Sequence, residues 1–270
     1  MSQSSNLPLS PNGRRYGAHR SPFDHRDFGM ARFPMGVAPL PSSVDQEAFC
    51  GPKRDQGAEG SCTAHAGVGM LEFVLGKHDP DFSSLPEFVP DLSPAYLYYK
   101  ERLIDGTLGQ GDCGSYGRTA CKAMQQFGVC MESTMPYVAG LLNTPPSQAQ
   151  DTEAGQFKSG AYHSLSNIQD MKACLVSDYV FIIGFTVYES FETKTGGTHV
   201  FNPKTSESIL GGHETLVIGY DDSKFGGSFK VRNSWGANWG DKGNFWIPYP
   251  VMTNREVVMD AYIQHLGKPW

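Results

Sequence analysis

The order of the periodicities constrains this chain most: apolar residues recur at helical spacing in the first half, whereas β-branched and aromatic runs fill the second. From Cys62, Ala66, Met70 and Phe73 return every three to four residues, with Leu71 and Val74 beside them, and Gly76 is a plausible stop. Ser93-Pro94 opens "AYLYYKERLI" as a second helix, with Ser93 as cap and Pro94 at the first position. A third helix is expected over Arg118 to Phe127, ended by Gly128. In the second half a helix around Asn167 to Val176 precedes "YVFIIGFTVY", a buried strand; "HETLVIGYDD" and "SFKVRNSW" are further strands separated by "DSKFGG". Helices first and strands later predict an α+β chain of two lobes rather than an alternating β-α-β sheet. The expected division is an N-terminal extension over 1–39, a mainly helical lobe over 40–150 and a β-rich lobe over 151–270.

The chain has 270 residues, 39% hydrophobic and 19% charged, enough for a sizeable core. A net charge of −6 argues against a nucleic-acid partner. No apolar run reaches membrane-spanning length, and the first residues lack the apolar stretch of a secretory signal. A cytoplasmic location is therefore expected, with export by a non-classical route left open. None of the six cysteines forms a C-x-x-C pair, so a disulfide scaffold and a zinc ribbon are disfavoured and free thiols are expected. No metal and no cofactor are expected. Residues 1–39 carry five Arg and two Asp, about +3, which leaves about −9 for the rest. That asymmetry predicts a basic strap on an acidic body. Arg14, Arg15, Arg20, Arg26 and Arg32 would supply the charge, Tyr16, Phe23, Phe28 and Phe33 the apolar anchoring, and Asp24, Arg26 and Asp27 of "DHRDF" are candidates for fixed ion pairs.

The stretch "DQGAEGSCTAHAGVGMLEF" sets Cys62 at the start of a helix, behind Gly57 and Gly60. A thiol attacks a carbonyl as thiolate, which a helix N-terminus favours and a neighbouring imidazole can generate. The small residues before it let backbone N–H groups approach a carbonyl, and Gln56 can add a second donor to an oxyanion hole. His213 follows two glycines at the start of a strand. Asn233 ends a later one, where its carbonyl can orient an imidazole while Trp235 shields the bond. His65, one turn beyond Cys62, reads as packing or polar lining. "HETLV" lacks the second histidine of a zinc motif.

"QGAEGSC", "GGHETLVIGYDD" and "NSWGANWGDKGNFWIP" together resemble, in order and separation, the three blocks of papain-like cysteine peptidases. "LPSSVDQEAFCGPKRDQG" is similar to the mature start of such enzymes and "GVCMESTMPY" to their middle section. The resemblance covers about residues 40–262, and "YGAHRSPFDHRDF" followed by "SCTA" is closest to a bacterial, cytoplasmic-type branch. It implies a papain-like two-lobed fold with the cleft between a helical lobe and an antiparallel β-rich lobe. It also implies peptide hydrolysis through a thioester: Cys62 as nucleophile, His213 as base then acid, Asn233 orienting His213, and Gln56 in the oxyanion hole. Gly114 and Ser115 match the strand that pairs with substrate backbone, Glu214 lines the pocket for the second side chain before the cut, and Trp235 is the shield. Glu214 would there favour Arg or Lys, unless it turns to solvent or pairs with the extension. Thr63 stands where papain has Trp, and Glu59 replaces a cysteine whose usual partner aligns with Cys113. The extension is shorter than the family's helical propeptide. Family propeptides cross the cleft in the direction opposite to substrate, so the extension is expected to act as an intramolecular inhibitor or as a structural strap. The partner is then a peptide or protein substrate. The alternatives are an acyl transferase or deamidase on the same residues, acting as an effector, or a non-catalytic peptide-binding protein on this scaffold.

Overall fold

A computed structural model describes residues 6–24, 39–83, 89–192, 197–204 and 206–266. In chain order the helices are α1 (Cys62–His78), α2 (Pro80–Ser83), α3 (Pro94–Asp105), α4 (Gly117–Gln126), α5 (Gln148–Ala154), α6 (Ile168–Val176), α7 (Glu189–Glu192) and α8 (Tyr249–Met252). The strands are β1 (Ala18–His19), β2 (Ser43–Asp45), β3 (Ser115–Tyr116), β4 (Tyr162–Ser164), β5 (Phe181–Tyr188), β6 (Ile209–Asp221), β7 (Ser228–Arg232), β8 (Asn244–Pro248) and β9 (Val258–Gln264). Antiparallel pairing runs β4-β9-β5-β6-β7-β8, with β2 added to β6, so a strand from the start of the helical half joins the sheet of the other lobe.

Helix α1 is buried almost all round and lies between the two lobes, against α3 and α4 on one side and β6 on the other. Close approach is possible because small residues face both ways. A Cβ on Gly67 would stand 3.1 Å from Leu97, and one on Gly69 3.2 Å from Leu216. The sequence reading placed the stop of this helix at Gly76. The helix instead runs through it to His78, because Asp79 precedes Pro80 and is pushed out of the helical region, with ψ at 124°. The start of α3 is as expected: the Ser93 hydroxyl accepts from the Tyr96 N–H at 3.1 Å, and Gly106 ends the helix in the left-handed region.

The described part of the extension crosses the groove between the lobes. β1 pairs in parallel with β3, Ala18 opposite Ser115 and His19 opposite Tyr116, while Gly17 bridges to Gly212 on β6. Arg14 meets the exposed Asp55 at 3.4 Å, a pair worth about 0–1 kcal/mol, and Arg15 lies 4.0 Å from the buried Asp112. Tyr16 is buried (5% exposed), which is worth about 1.5–3 kcal/mol. Phe23 is not an anchor as the sequence reading had it. It is 95% exposed, because it stands past Ser21, whose N–H makes the segment's bond to Asp260 at 3.2 Å. Arg26, Asp27, Phe28, Arg32 and Phe33 lie outside the described residues.

The loop ahead of α1 is tied to that helix by a buried carboxylate. Glu72 accepts from Arg54 at 2.6 and 3.1 Å and from the Leu92 N–H at 2.8 Å. Removing it breaks the buried half of the pair and leaves the Arg54 guanidinium only the exposed Asp91 and the Leu92 carbonyl. Glu72→Ala is therefore expected to cost about 3 kcal/mol in urea unfolding; a loss within error of zero would show that the pair does not hold the loop.

Candidate active site

Cys62 is the first residue of α1, so its thiol sits at the positive end of a 17-residue helix. The side chain is fully buried. Burial pushes the thiol up to about 12, opposed in part by the neighbouring backbone of Glu214 and Gly17. The second of these comes from the extension, which therefore lies directly beside the thiol.

His213 stands on β6 opposite Phe185 of β5. Its Nε2–H donates to Asn233 Oδ1 at 2.7 Å, and the same oxygen accepts from the Ser234 N–H at 2.8 Å, which fixes the amide orientation. Nδ1 has no hydrogen-bond partner and keeps its lone pair. Burial pushes the imidazole down to about 3. Trp235 lies over it, with ring centroids 5.0 Å apart at 31°. Thiol and imidazole are thus both held neutral while the groove is filled.

Gln56 joins the nucleophile loop to the Asn233 turn. Its Oε1 accepts from the Ser234 hydroxyl at 2.6 Å, its backbone N–H donates to the Ser234 carbonyl at 2.9 Å, and Nε2 donates to the Glu59 carbonyl at 2.8 Å. One amide proton is left for an oxyanion. His65 packs edge-on against Tyr137 at 4.7 Å and bonds to the Ser61 carbonyl at 3.0 Å through Nδ1, as lining.

Gly114 and Ser115 lie at the start of β3, which pairs with the extension. The Ser115 N–H donates to the Gly17 carbonyl at 2.8 Å. Gly114 has φ +74, and a Cβ there would lie 2.0 Å from that carbonyl oxygen, so only glycine lets the segment approach. Glu214 is 1% exposed with neither oxygen hydrogen-bonded, so it neither turns to solvent nor bonds the extension. Burial, then Asp260 and Glu101, pushes it well above the usual carboxylate range. Those two acids reach it from β9 and α3 and carried no sequence signal, since nothing local marks their convergence. Glu192 of α7, which accepts from the Tyr16 hydroxyl at 2.9 Å, was likewise silent in the sequence.

A match to the papain family cysteine protease spans residues 40–264. A peptidase C1-like protein of Acanthamoeba polyphaga mimivirus is 31% identical over 77% of this chain and 68% of its own length. Xylellain, a cysteine protease from Xylella fastidiosa, superposes with a TM-score of 0.84 at 30% identity, covering 97% of this chain and 100% of that one. Procathepsin B S9 from Trypanosoma congolense shares the fold at a TM-score of 0.73 and 19% identity, over 95% and 88% of the two chains.

The covered thiol has a readable consequence. With its ionisation near 12, alkylation of Cys62 by iodoacetamide is expected to rise about tenfold per pH unit from 6 to 10, without a plateau. Peptide mapping by mass spectrometry separates it from the partly exposed Cys50 and Cys113. A plateau already reached below pH 8 would contradict a neutral, covered pair.

Proposed function

Because the chain belongs to the papain family of cysteine proteases, we propose that it cuts peptide bonds at Cys62 and that residues 6–24 plug the same groove. Cys62, deprotonated by His213, attacks the carbonyl carbon. The developing oxyanion takes hydrogen bonds from the Cys62 backbone N–H and Gln56 Nε2. His213 protonates the leaving nitrogen, the C–N bond breaks and a thioester remains. Water, deprotonated by the same imidazole, then breaks the C–S bond and returns the thiol. Asn233 keeps Nε2 occupied so that Nδ1 does the proton transfer.

The observation that carries this reading is the polarity of the peptide already lying in the groove. It runs parallel to β3 with Gly17 beside Cys62, and the Gly17 carbonyl is pinned to the Ser115 N–H at 2.8 Å. The carbonyl nearest the sulphur is thus taken up by the strand. A peptide in the other direction reverses that relation, which supports a groove that both binds and cuts peptides. Incubating the chain with peptides and weighing the products tests it. Two fragments are expected, and none from Cys62→Ala; a joined or deamidated product would favour transfer instead.

The match to xylellain covers nearly the whole chain, extension included, and supports assignment to a bacterial branch. Glu59, in the place of the cysteine that usually pairs with the position of Cys113, accepts from the Gly140 N–H at 3.0 Å, which supports a reducing, cytoplasmic setting. Glu214, with Asp260 and Glu101 around it, supports a preference for Arg or Lys at the second side chain before the cut. Glu214→Ala is expected to lower the ratio of basic to apolar side chains accepted there, and an unchanged ratio in a peptide library would refute the assignment.

Plugging makes a sharper demand. A Cβ on Gly17 would stand 1.9 Å from the Gly60 carbonyl oxygen, and backbone cannot yield as a side chain does. Gly17→Ala in the full chain is expected to displace the segment and raise turnover by roughly an order of magnitude. It should also lower the melting temperature slightly, through loss of the buried Tyr16. Unchanged turnover would make the segment a strap only.

A further inference from the structure

The compartment beside the imidazole is shaped around a phenol. Tyr16 stands edge-on to His213, with centroids 6.1 Å apart at 81°, and tilted against Trp235 at 6.1 Å. Gly211 makes room for it, since a Cβ there would fall 2.6 Å from the Tyr16 Cβ. At the far end the hydroxyl donates to Glu192 Oε1 at 2.9 Å, and Glu192 is 5% exposed. The other donor to that oxygen is the Ser10 hydroxyl, also from the extension. When the extension leaves, Glu192 loses both.

We propose that Glu192 is a specificity-determining residue, and that the open enzyme cuts preferentially ahead of tyrosine. The inference rests on the peptidase reading above. A leaving amine that takes its proton from His213 lies against the imidazole, so the side chain of the first residue beyond the cut falls in the space Tyr16 now fills. Aromatic walls are met by a flat ring. The buried carboxylate is met by a donor at the end of that ring. Phenylalanine fits the walls and leaves the carboxylate without a partner, and a site built to bond a hydroxyl discriminates against the analogue that lacks it. Lysine offers a donor without the ring.

The test uses full-length chains carrying Tyr16→Ala, which empties the compartment, with Glu192 intact or changed to Gln or Leu. Each is given synthetic peptides that differ only in the residue after the cut, Tyr, Phe or Lys, and fragments are quantified by mass spectrometry. With Glu192 intact, Tyr is expected over Phe by about tenfold, the size of a hydrogen bond to a charged group. Glu192→Leu is expected to bring the ratio near one while Phe peptides are still cut. Glu192→Gln, nearly isosteric and still an acceptor, is expected to fall between and guards against a folding defect in the Leu chain. A Tyr-to-Phe ratio near one with Glu192 intact, a ratio unmoved by both substitutions, or a preference for Lys would overturn the proposal and leave Glu192 as a clasp for the extension alone. Fragments cut without a Tyr preference refute this inference only. No fragments from any chain, with Cys62 freely alkylated, would remove the peptidase reading and this one together.

Discussion

One helix packed on two sides is the constraint on which everything else rests. Because α1 touches α3 and α4 through one face and β6 through another, neither lobe can move without moving Cys62. Gly67 and Gly69 set how near the lobes come, and the Gln56–Ser234 bonds close the same joint from the loop side. The thiol and the imidazole arrive from different halves of the sequence, and their relation is fixed by packing rather than by any bond between the two chain segments that carry them.

That packing also creates an electrostatic problem which the extension resolves in one direction. Covering Cys62 and His213 removes water from both, and desolvation disfavours thiolate and imidazolium alike, so the pair stays neutral. The neighbouring backbone of Glu214 and Gly17 moderates this without reversing it. Exposure of the groove returns solvent to both groups, and the helix end then favours the anion. In the proposed function the same segment governs both access and protonation.

Elements whose signals are local were legible in the sequence. Ser93 and Pro94 mark the start of α3 by capping and backbone preference alone, and the run from Phe181 to Tyr188 reads as a strand because it is apolar on both faces. Gly76 misled because one glycine inside a helix costs only about 1 kcal/mol, whereas Asp79 ahead of Pro80 cannot continue it. Cys62, His213 and Asn233, proposed above as nucleophile, base and orienting amide, stand out in the sequence as blocks spread along the chain. Their surroundings do not. Glu101 and Asp260 reach Glu214 from α3 and β9, and which aromatic residue of the extension faces inward, Tyr16 and not Phe23, depends on where β3 stops pairing.

The segment proposed as a plug belongs to the chain it would block, and residues 25–38 alone separate it from the body that resumes at residue 39. Its local concentration at the groove is therefore set by chain geometry, on the order of millimolar for a short connection, whatever the concentration of the protein. Dilution cannot uncover the thiol, and a free peptide with micromolar affinity gains little ground against it at micromolar supply. Weak individual contacts are enough for such a tether, and severing the connection would convert them at once into an ordinary, dissociable ligand.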